Sequence, residues 1–312
     1  MKVLVTGGAG FIGSHVSDAL LAAGHQVVII DDLSTGRRTN VPQGAVFVEG
    51  DIRDTALVAK LFGEHKPEVV THQAAQTSVA VSAREPVRDA EINILGSLNI
   101  LNQCVQHKVK QVVFASTGGA IYGEVPEGER AREDRAPNPL SPYACSKFAV
   151  EKYLVAYGRE HGLRSTVLRY ANVYGPRQDP HGEAGVVAIF AQRLLQGEPV
   201  QINARKDSGD AGCVRDYVFV ADVVKANLAA IDGKLQKTPL NVCTGAATTT
   251  FELAHLMARA AGVTATLGHA ARREGDVERS VLDPGNPPPL GAALPLAEGV
   301  ALTIAWFRQR PS

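Results

Sequence analysis

Tyr143 and Lys147 lie four residues apart in Ser141-Pro-Tyr-Ala-Cys-Ser-Lys, a spacing that puts both on one face of a helix. Pro142 suits the first turn of that helix. A tyrosine with its ordinary pKa near 10 is a poor base at neutral pH. A neighbouring ammonium favours the phenolate and lowers that pKa, so the pair is a candidate for moving a proton on and off a hydroxyl. Two further hydroxyls, Ser116 and Thr117, follow the apolar run Gln111–Ala115. Serine and threonine after a strand are also ordinary turn formers, and a surface Tyr/Lys pair is common, so the rest of the chain has to decide.

The deciding context is at residues 1–31. A short apolar strand, Lys2–Thr6, runs into Gly7-Gly-Ala-Gly10-Phe-Ile-Gly13; a helix follows over Phe11–Ala23, and a second strand, Gln26–Ile30, ends on Asp31. This order holds a dinucleotide. Gly7 permits the tight turn, Gly10 lets the backbone approach a pyrophosphate, and Gly13 lets the helix pack on the strand. The helix N-terminus then offers free N–H groups and a positive dipole end. Asp31, 18 positions after Gly13, is placed to accept from both ribose hydroxyls and to repel a 2′-phosphate, which favours NAD over NADP. Arg37 and Arg38 are the counter-argument, but their distance from the strand end reads better as a solvated loop. Asp51 and Ile52, after a third strand, are placed to flank the adenine; Asp51 could equally cap a helix. A nicotinamide ring beside Tyr143 would add its positive charge to that of Lys147 in favouring the phenolate.

These residues need a frame. Strands are expected at Lys2–Thr6, Gln26–Ile30, Ala45–Val48, Glu68–Thr71, Gln111–Ala115 and Arg164–Arg169, and helices at Phe11–Ala23, Thr55–Gly63, Val87–Val105 and Tyr143–Gly158. Such alternation predicts an α/β fold with a doubly wound parallel sheet of Rossmann type, its ligand lying across the carboxyl ends of the strands. After Asn172 the pattern loosens. Pro176, Pro180 and Gly182 mark a long loop, Val218–Ala230 reads as a helix, Leu240–Val242 as a short strand, and Thr250 opens another helix. Val281–Pro295, rich in Pro and Gly, reads as a surface loop. The layout expected is an NAD-binding domain over 1–171, with a segment near 216–244 packing back on it, and a smaller substrate-binding domain over 172–312.

Composition narrows the class. The 312 residues are 45% apolar and 21% charged with zero formal net charge, which argues against a nucleic-acid binder. Four widely spaced cysteines, without a C-x-x-C pair, read as reduced thiols rather than a disulfide frame or a metal site. No leader is expected before the first strand, and no apolar run approaches the roughly 20 residues of a membrane helix. A soluble cytoplasmic protein without a metal is expected.

TGGAGFIGSH, DDLSTG, GDIRD, HQAAQ, Asn93-x-x-Gly96, ASTGGAIYG, SPYACSK, LRYANVYGPRQ, GCVRDYVFVADV and RREGD occur in this order along nearly the whole chain. With these motifs the sequence resembles the extended short-chain dehydrogenase/reductases and, within them, the NAD-dependent sugar-nucleotide epimerases, those acting at C4 of UDP-glucose matching best. The resemblance implies that Tyr143 is the general acid/base, that Lys147 binds the nicotinamide ribose and lowers the Tyr143 pKa, and that Thr117 bonds the reacting sugar oxygen. It implies an NAD site of Gly7, Gly10, Phe11, Ile12, Asp31, Leu33, Ser34, Gly36, Asp51, Ile52, Ala74, Ala75, Gln76 and Asn93, together with Tyr143, Lys147 and Tyr170. Asn172, Arg215 and Arg273 fall where relatives grip a nucleotide diphosphate, and Asp276 beside the ribose. Guanidinium forks suit that task, although Arg215 could instead pair with Asp216.

Three departures stand out. One extra residue between Thr117 and Tyr122 leaves either Ser116 or Thr117 as the reacting-oxygen partner. Gly185-Val-Val-Ala lacks the asparagine many relatives set against the base. Ser280 is small where some relatives carry a bulky residue that excludes a 2-N-acetyl group. The implied activity is reversible C4 epimerisation of a UDP-hexose, the glucose/galactose pair with the N-acetylated pair as a second candidate, by transient hydride transfer to tightly bound NAD. The alternatives are a uronic acid epimerase, a 4,6-dehydratase, which would need acids where Gly118-Gly119 stand, and a non-catalytic NAD sensor. A homodimer is expected through the helices near Val87–Val105 and Tyr143–Gly158.

Overall fold

Lys2–Thr6 forms β1, and Gly7 leaves it at a φ of +67°. The chain then runs through α1 (Phe11–Ala22), β2 (Gln26–Asp31), β3 (Val46–Glu49), α2 (Thr55–His65), β4 (Val69–His72), α3 (Val79–Arg84) and α4 (Pro86–Ala90). A π-helical segment (Glu91–Gly96), α5 (Ser97–Gln106), β5 (Gln111–Thr117), the single turn α6 (Gly118–Ile121), α7 (Pro142–His161) and β6 (Arg164–Tyr170) follow. The remainder is β7 (Asn172–Tyr174), α8 (Val186–Leu195), β8 (Val200–Asn203), β9 (Val214–Arg215), β10 (Tyr217–Phe219), α9 (Val220–Ile231), β11 (Leu240–Val242), β12 (Thr248–Thr249), α10 (Thr250–Ala261), β13 (Leu267–Ala270), β14 (Arg279–Ser280) and α11 (Leu296–Arg308). This computed structural model describes residues 1–181, 185–235, 238–272 and 277–309.

Seven strands share one sheet in the order β11-β6-β5-β4-β1-β2-β3. β1 pairs in parallel with both β2 and β4, although β4 comes later in the chain. Strand order therefore reverses at β1, which is where a doubly wound sheet opens a ligand crevice at its carboxyl edge. The strands are near-continuous runs of Val, Ile and Leu because both faces are covered. Leu4, Val28, Ile30, Val70, Val112 and Phe114 meet Phe62, Ile100, Leu101, Val150 and Leu154 of the helices in one core cluster.

The chain divides into two compact units. Unit 1 comprises Met1–Thr117, Ser141–Arg169 and Val223–Leu240; unit 2 comprises Gly118–Leu140, Tyr170–Asp222 and Asn241–Ser312. Compared with the layout expected from sequence, the returning segment is narrower, and Gly118–Leu140 joins unit 2. Backbone bonds explain the second difference: Val125 N donates to Arg279 O (3.1 Å) and Ala131 N to Val281 O (2.9 Å). Val281 and Leu282 are consequently buried, so the expected surface loop begins inside unit 2.

The helix expected over Val87–Val105 is interrupted. A wide π turn, of a kind frequent at functional sites, buries Asn93, whose amide oxygen accepts from Gln76 N (2.9 Å) and whose Nδ2 donates to Gln76 O and Asp89 Oδ1 (2.9 Å each). A sequence pattern of apolar residues carries no trace of such a slip.

Candidate active site

In unit 1 the glycine turn is built on backbone contacts. Gly7 N donates to Ile30 O (2.8 Å) and Gly10 N to Gly7 O (3.2 Å). A Cβ on Gly13 would stand 2.1 Å from Gly7 O, and one on Gly7 would stand 2.7 Å from Ala74 N. A Cβ on Gly10 would meet only Gly7 O, at 3.2 Å, so the turn is open on that side. No side chain caps α1 and its first turn holds no acid, which leaves the positive helix end available to an anion. The half-buried Phe11 and Ile12 begin the helix.

Asp31 ends β2. Its Oδ2 accepts from Ala9 N (2.9 Å) and its Oδ1 from Leu33 N (2.9 Å); burial raises its pKa against these bonds. Leu33 takes a φ of +57°, Ser34 turns back onto Asp32 (2.6 Å), and a Cβ on Gly36 would lie 2.6 Å from Asp31 Oδ1. Arg38 pairs with Glu49 (3.3 Å) and covers the Phe47 ring, the surface engagement expected of it. Asp51 caps no helix. Asp54 does so for α2, while Asp51 binds Arg53 (2.6 Å), which lowers its pKa. Ile52 is buried, its carbonyl held by Asn99 (2.7 Å).

The loop after β4 is fixed by a directed chain. Ala74 N donates to Thr6 Oγ1 (3.1 Å), which lies 2.6 Å from His72 Nδ1. His72 Nε2 lies 2.9 Å from Ser97 Oγ, which donates to Asn93 O (2.6 Å). Because the Ser97 proton is committed to Asn93, His72 donates from Nε2 and accepts at Nδ1. Burial and the charge of Lys147 hold this ring neutral, its pKa lowered to about 3. Ala75 follows, and Gln76 joins Asn93 at Asp89, with Gln76 Nε2 2.9 Å from Asp89 Oδ1.

The proton-transfer pair stands on α7, capped by Ser141 at Ala144 N. Tyr143 stands beside Thr117, which pulls its pKa down, but burial dominates and pushes it up to about 12, so the lowering expected from Lys147 is reversed in the protein alone. Lys147 Nζ donates to Ala115 O (2.9 Å) and lies over the Phe114 ring; burial lowers its pKa to about 8, against the charges of Asp89 and Glu151. Ser116 is committed elsewhere. It donates to Glu151 Oε1 (2.6 Å), and Glu151 is clamped by Arg169 (2.6 Å) in a buried ion pair. Of the two candidate hydroxyls, Thr117 is therefore the one that meets Tyr143. Asp89, Ser146, Glu151 and Arg169 escaped the reading of the sequence, although two of them lie at helical spacing: Asp89 four residues before Asn93, and Glu151 four after Lys147.

Unit 2 brings Asn172, Arg215 and Ser280 together. Asn172 N donates to Asp216 O (2.9 Å) and Asp216 N to Ser280 O (3.1 Å), and Ser280 is in register with Arg215. Ser280 is buried, its Oγ donating to Gly119 O (2.9 Å). The Arg215–Asp216 pairing considered from sequence is replaced. Asp216 Oδ1 takes Thr244 Oγ1 (2.6 Å) and Oδ2 takes Gly245 N (2.9 Å), while Arg215 Nη1 donates to Val214 O (3.1 Å). Tyr170 is buried at the end of β6. Arg273 and Asp276 lie outside the described residues.

Residues 3–243 match the model of the NAD dependent epimerase/dehydratase family. The chain is 43% identical over 318 residues to the UDP-glucose 4-epimerase of Mycolicibacterium smegmatis, covering 99% of each. Among solved structures it resembles the Thermus thermophilus UDP-glucose 4-epimerase in complex with NAD, at 54% identity with a TM-score of 0.94 and 99% of each chain covered. It also resembles the Thermotoga maritima UDP-glucose 4-epimerase with UDP-glucose, at 46% identity with a TM-score of 0.91 and 99% of each chain covered.

Proposed function

The chain belongs to the NAD-dependent epimerase/dehydratase family, and from that membership and the Tyr143–Thr117 contact we propose that it is an isomerase interconverting UDP-glucose and UDP-galactose at C4. The observation that carries the chemistry is Tyr143 beside Thr117, one helical turn from the buried Lys147. The uncapped α1 terminus, the open side of Gly10 and the Asp31 carboxylate fit a dinucleotide with a free 2′-hydroxyl. Gly7, Gly10, Phe11, Ile12, Asp31, Leu33, Ser34, Gly36, Asp51, Ile52, Ala74, Ala75, Gln76, Asn93 and Tyr170 are the residues assigned to hold it. When bound, NAD supplies the hydride acceptor and donor at the sugar carbon.

The protein's own groups then have distinct tasks. Tyr143 takes the proton of the C4 hydroxyl and later returns it. Thr117 donates to the oxygen that carries the developing negative charge, and the Lys147 ammonium favours the phenolate over the phenol. Epimerisation requires the 4-keto sugar to present its other face, so the nucleotide must be held firmly and the sugar loosely. Asn172, Arg215, Arg273 and Asp276 are assigned to the nucleotide diphosphate and ribose. Gly118-Gly119 place no acid after Thr117, which disfavours a 4,6-dehydratase.

Ser280 supports a second substrate: a serine stands where some relatives carry a bulky residue that excludes a 2-N-acetyl group, so UDP-N-acetylglucosamine is accepted beside UDP-glucose. The enzyme works as a cytoplasmic homodimer in galactose metabolism. Incubating the protein separately with UDP-glucose, UDP-N-acetylglucosamine and UDP-glucuronate and identifying products by NMR tests the whole reading. C4 epimers of the first two are expected. A 4-keto-6-deoxy product, or epimerisation of the uronate alone, overturns it, and equal failure of wild type and Ser280→Tyr on the acetylated sugar removes the second substrate.

A further inference from the structure

We propose that Asp89 is a positioning residue for the proton-transfer pair: its buried carboxylate, bonded from three segments, ties the helix carrying Tyr143 and Lys147 to the loop after β4 and leaves its negative charge facing that pair. Asp89 is fully buried. Its Oδ1 accepts from Gln76 Nε2 and Asn93 Nδ2 (2.9 Å each), and its Oδ2 accepts from Ser146 Oγ (2.6 Å). Three donors converge on one carboxylate from three segments, which is the shell of an anion rather than of an acid. Ser146 immediately precedes Lys147 on α7, so the bond fixes that turn of the helix against the loop of Ala74–Gln76.

All three donors are neutral, so the charge of Asp89 is not cancelled where it sits. The other carboxylate beside Lys147, that of Glu151, is paired with Arg169 at 2.6 Å. Of the charged groups on the neighbouring elements, Arg88 pairs with Glu85 (2.9 Å) and Glu91 with Arg53 (3.6 Å) at the surface, and His72 is neutral. Asp89 is thus left to act on the pair itself. Its charge raises the pKa of Lys147 against desolvation and also raises that of Tyr143. One carboxylate thus acts on both members of the pair in the same direction.

The inference rests on Tyr143 being the acid/base, and its test separates the two ideas. Asp89→Asn keeps an oxygen for Gln76 and Asn93 while removing the charge. In the NAD-loaded protein, the ultraviolet tyrosinate band of Tyr143 (the difference from Tyr143→Phe in the same background) and both limbs of the kcat–pH profile are followed together with NAD content. Loss of a negative charge lowers every pKa of the pair, so both transitions move to lower pH by about one unit while NAD is retained. Transitions that stay in place, with any loss of kcat independent of pH, overturn the proposal. Should Asp89→Asn not fold, wild-type protein decides: the Asp89 carboxyl carbon must report an ionised group in NMR across the active pH range, and its protonation within that range overturns the proposal. Full activity of Tyr143→Phe would instead remove the acid/base reading.

Discussion

Lys147 is a costly residue where it stands. Folding lowers its pKa from 10.5 to about 8, so the buried ammonium destabilises the folded state below about pH 8, and that cost is relieved as pH rises from there toward 10.5. The shift corresponds to roughly 3 kcal/mol, partly offset by the bond to Ala115 O and the contact with the Phe114 ring. Lys147→Met should therefore raise thermal stability at pH 7 by on the order of 1–3 kcal/mol while turnover collapses. Calorimetry and an epimerase assay on the same preparation check both halves, and a less stable variant would show that Lys147 contributes more to packing than its burial costs. Tyr143→Phe is the complementary change. It removes the proton carrier and leaves the ring, so kcat should fall by about 10²–10⁴-fold with bound NAD unchanged, as absorbance of the purified protein would show. Near wild-type turnover would remove Tyr143 from the chemistry.

The elements that carry these residues were legible in the sequence to very different degrees. β1, the glycine turn, α1 and β2 could be read because each imposes a local demand: an apolar run, a backbone too close for a Cβ, a helix periodicity, an acid at a strand end. Gly13→Ala tests that demand directly. Its Cβ would meet Gly7 O at 2.1 Å and Gly7 C at 2.8 Å, both backbone atoms with no rotamer to escape through. Loss of NAD retention and a destabilisation of several kcal/mol are expected, whereas a fully loaded Gly13→Ala protein with an unchanged melting temperature would contradict the packing described. The π turn at Glu91–Gly96 and the convergence of Gln76, Asn93 and Ser146 on Asp89 were not legible, because they depend on polar groups from distant segments meeting in the interior. The choice between Ser116 and Thr117 was open for the same reason, since only Glu151, 35 residues after Ser116, shows which hydroxyl is occupied. Gly118–Leu140 looked like part of the dinucleotide domain because it follows β5 directly, and its pairing with residues 279–281 could not be read from its own composition.

At the scale of the whole molecule, the proposed homodimer makes a demand on α4, the π segment and α7. These segments pack on one another and bury Asp89, Asn93, Ser146 and Lys147 inward, yet they leave Val87 71%, Leu95 59%, Tyr153 41% and Val155 70% exposed. Single exposed apolar residues need no explanation, but several on the helices of one layer are where the proposed dimer would be covered. A second copy presenting the same helices would cover it by two-fold symmetry, since a self-complementary patch closes after one contact. The same helix α7 holds Tyr143 and Lys147, so covering its outer face would also hold the inner face in register. Charging that face without touching the inner one is the direct test. Leu95→Glu with Val155→Glu should halve the mass seen by light scattering, keep NAD bound, and lower thermal stability because the exposed helices lose their cover. Wild-type protein that is already monomeric at micromolar concentration would remove the dimer, and a doubly charged variant that remains dimeric would move the interface off these helices.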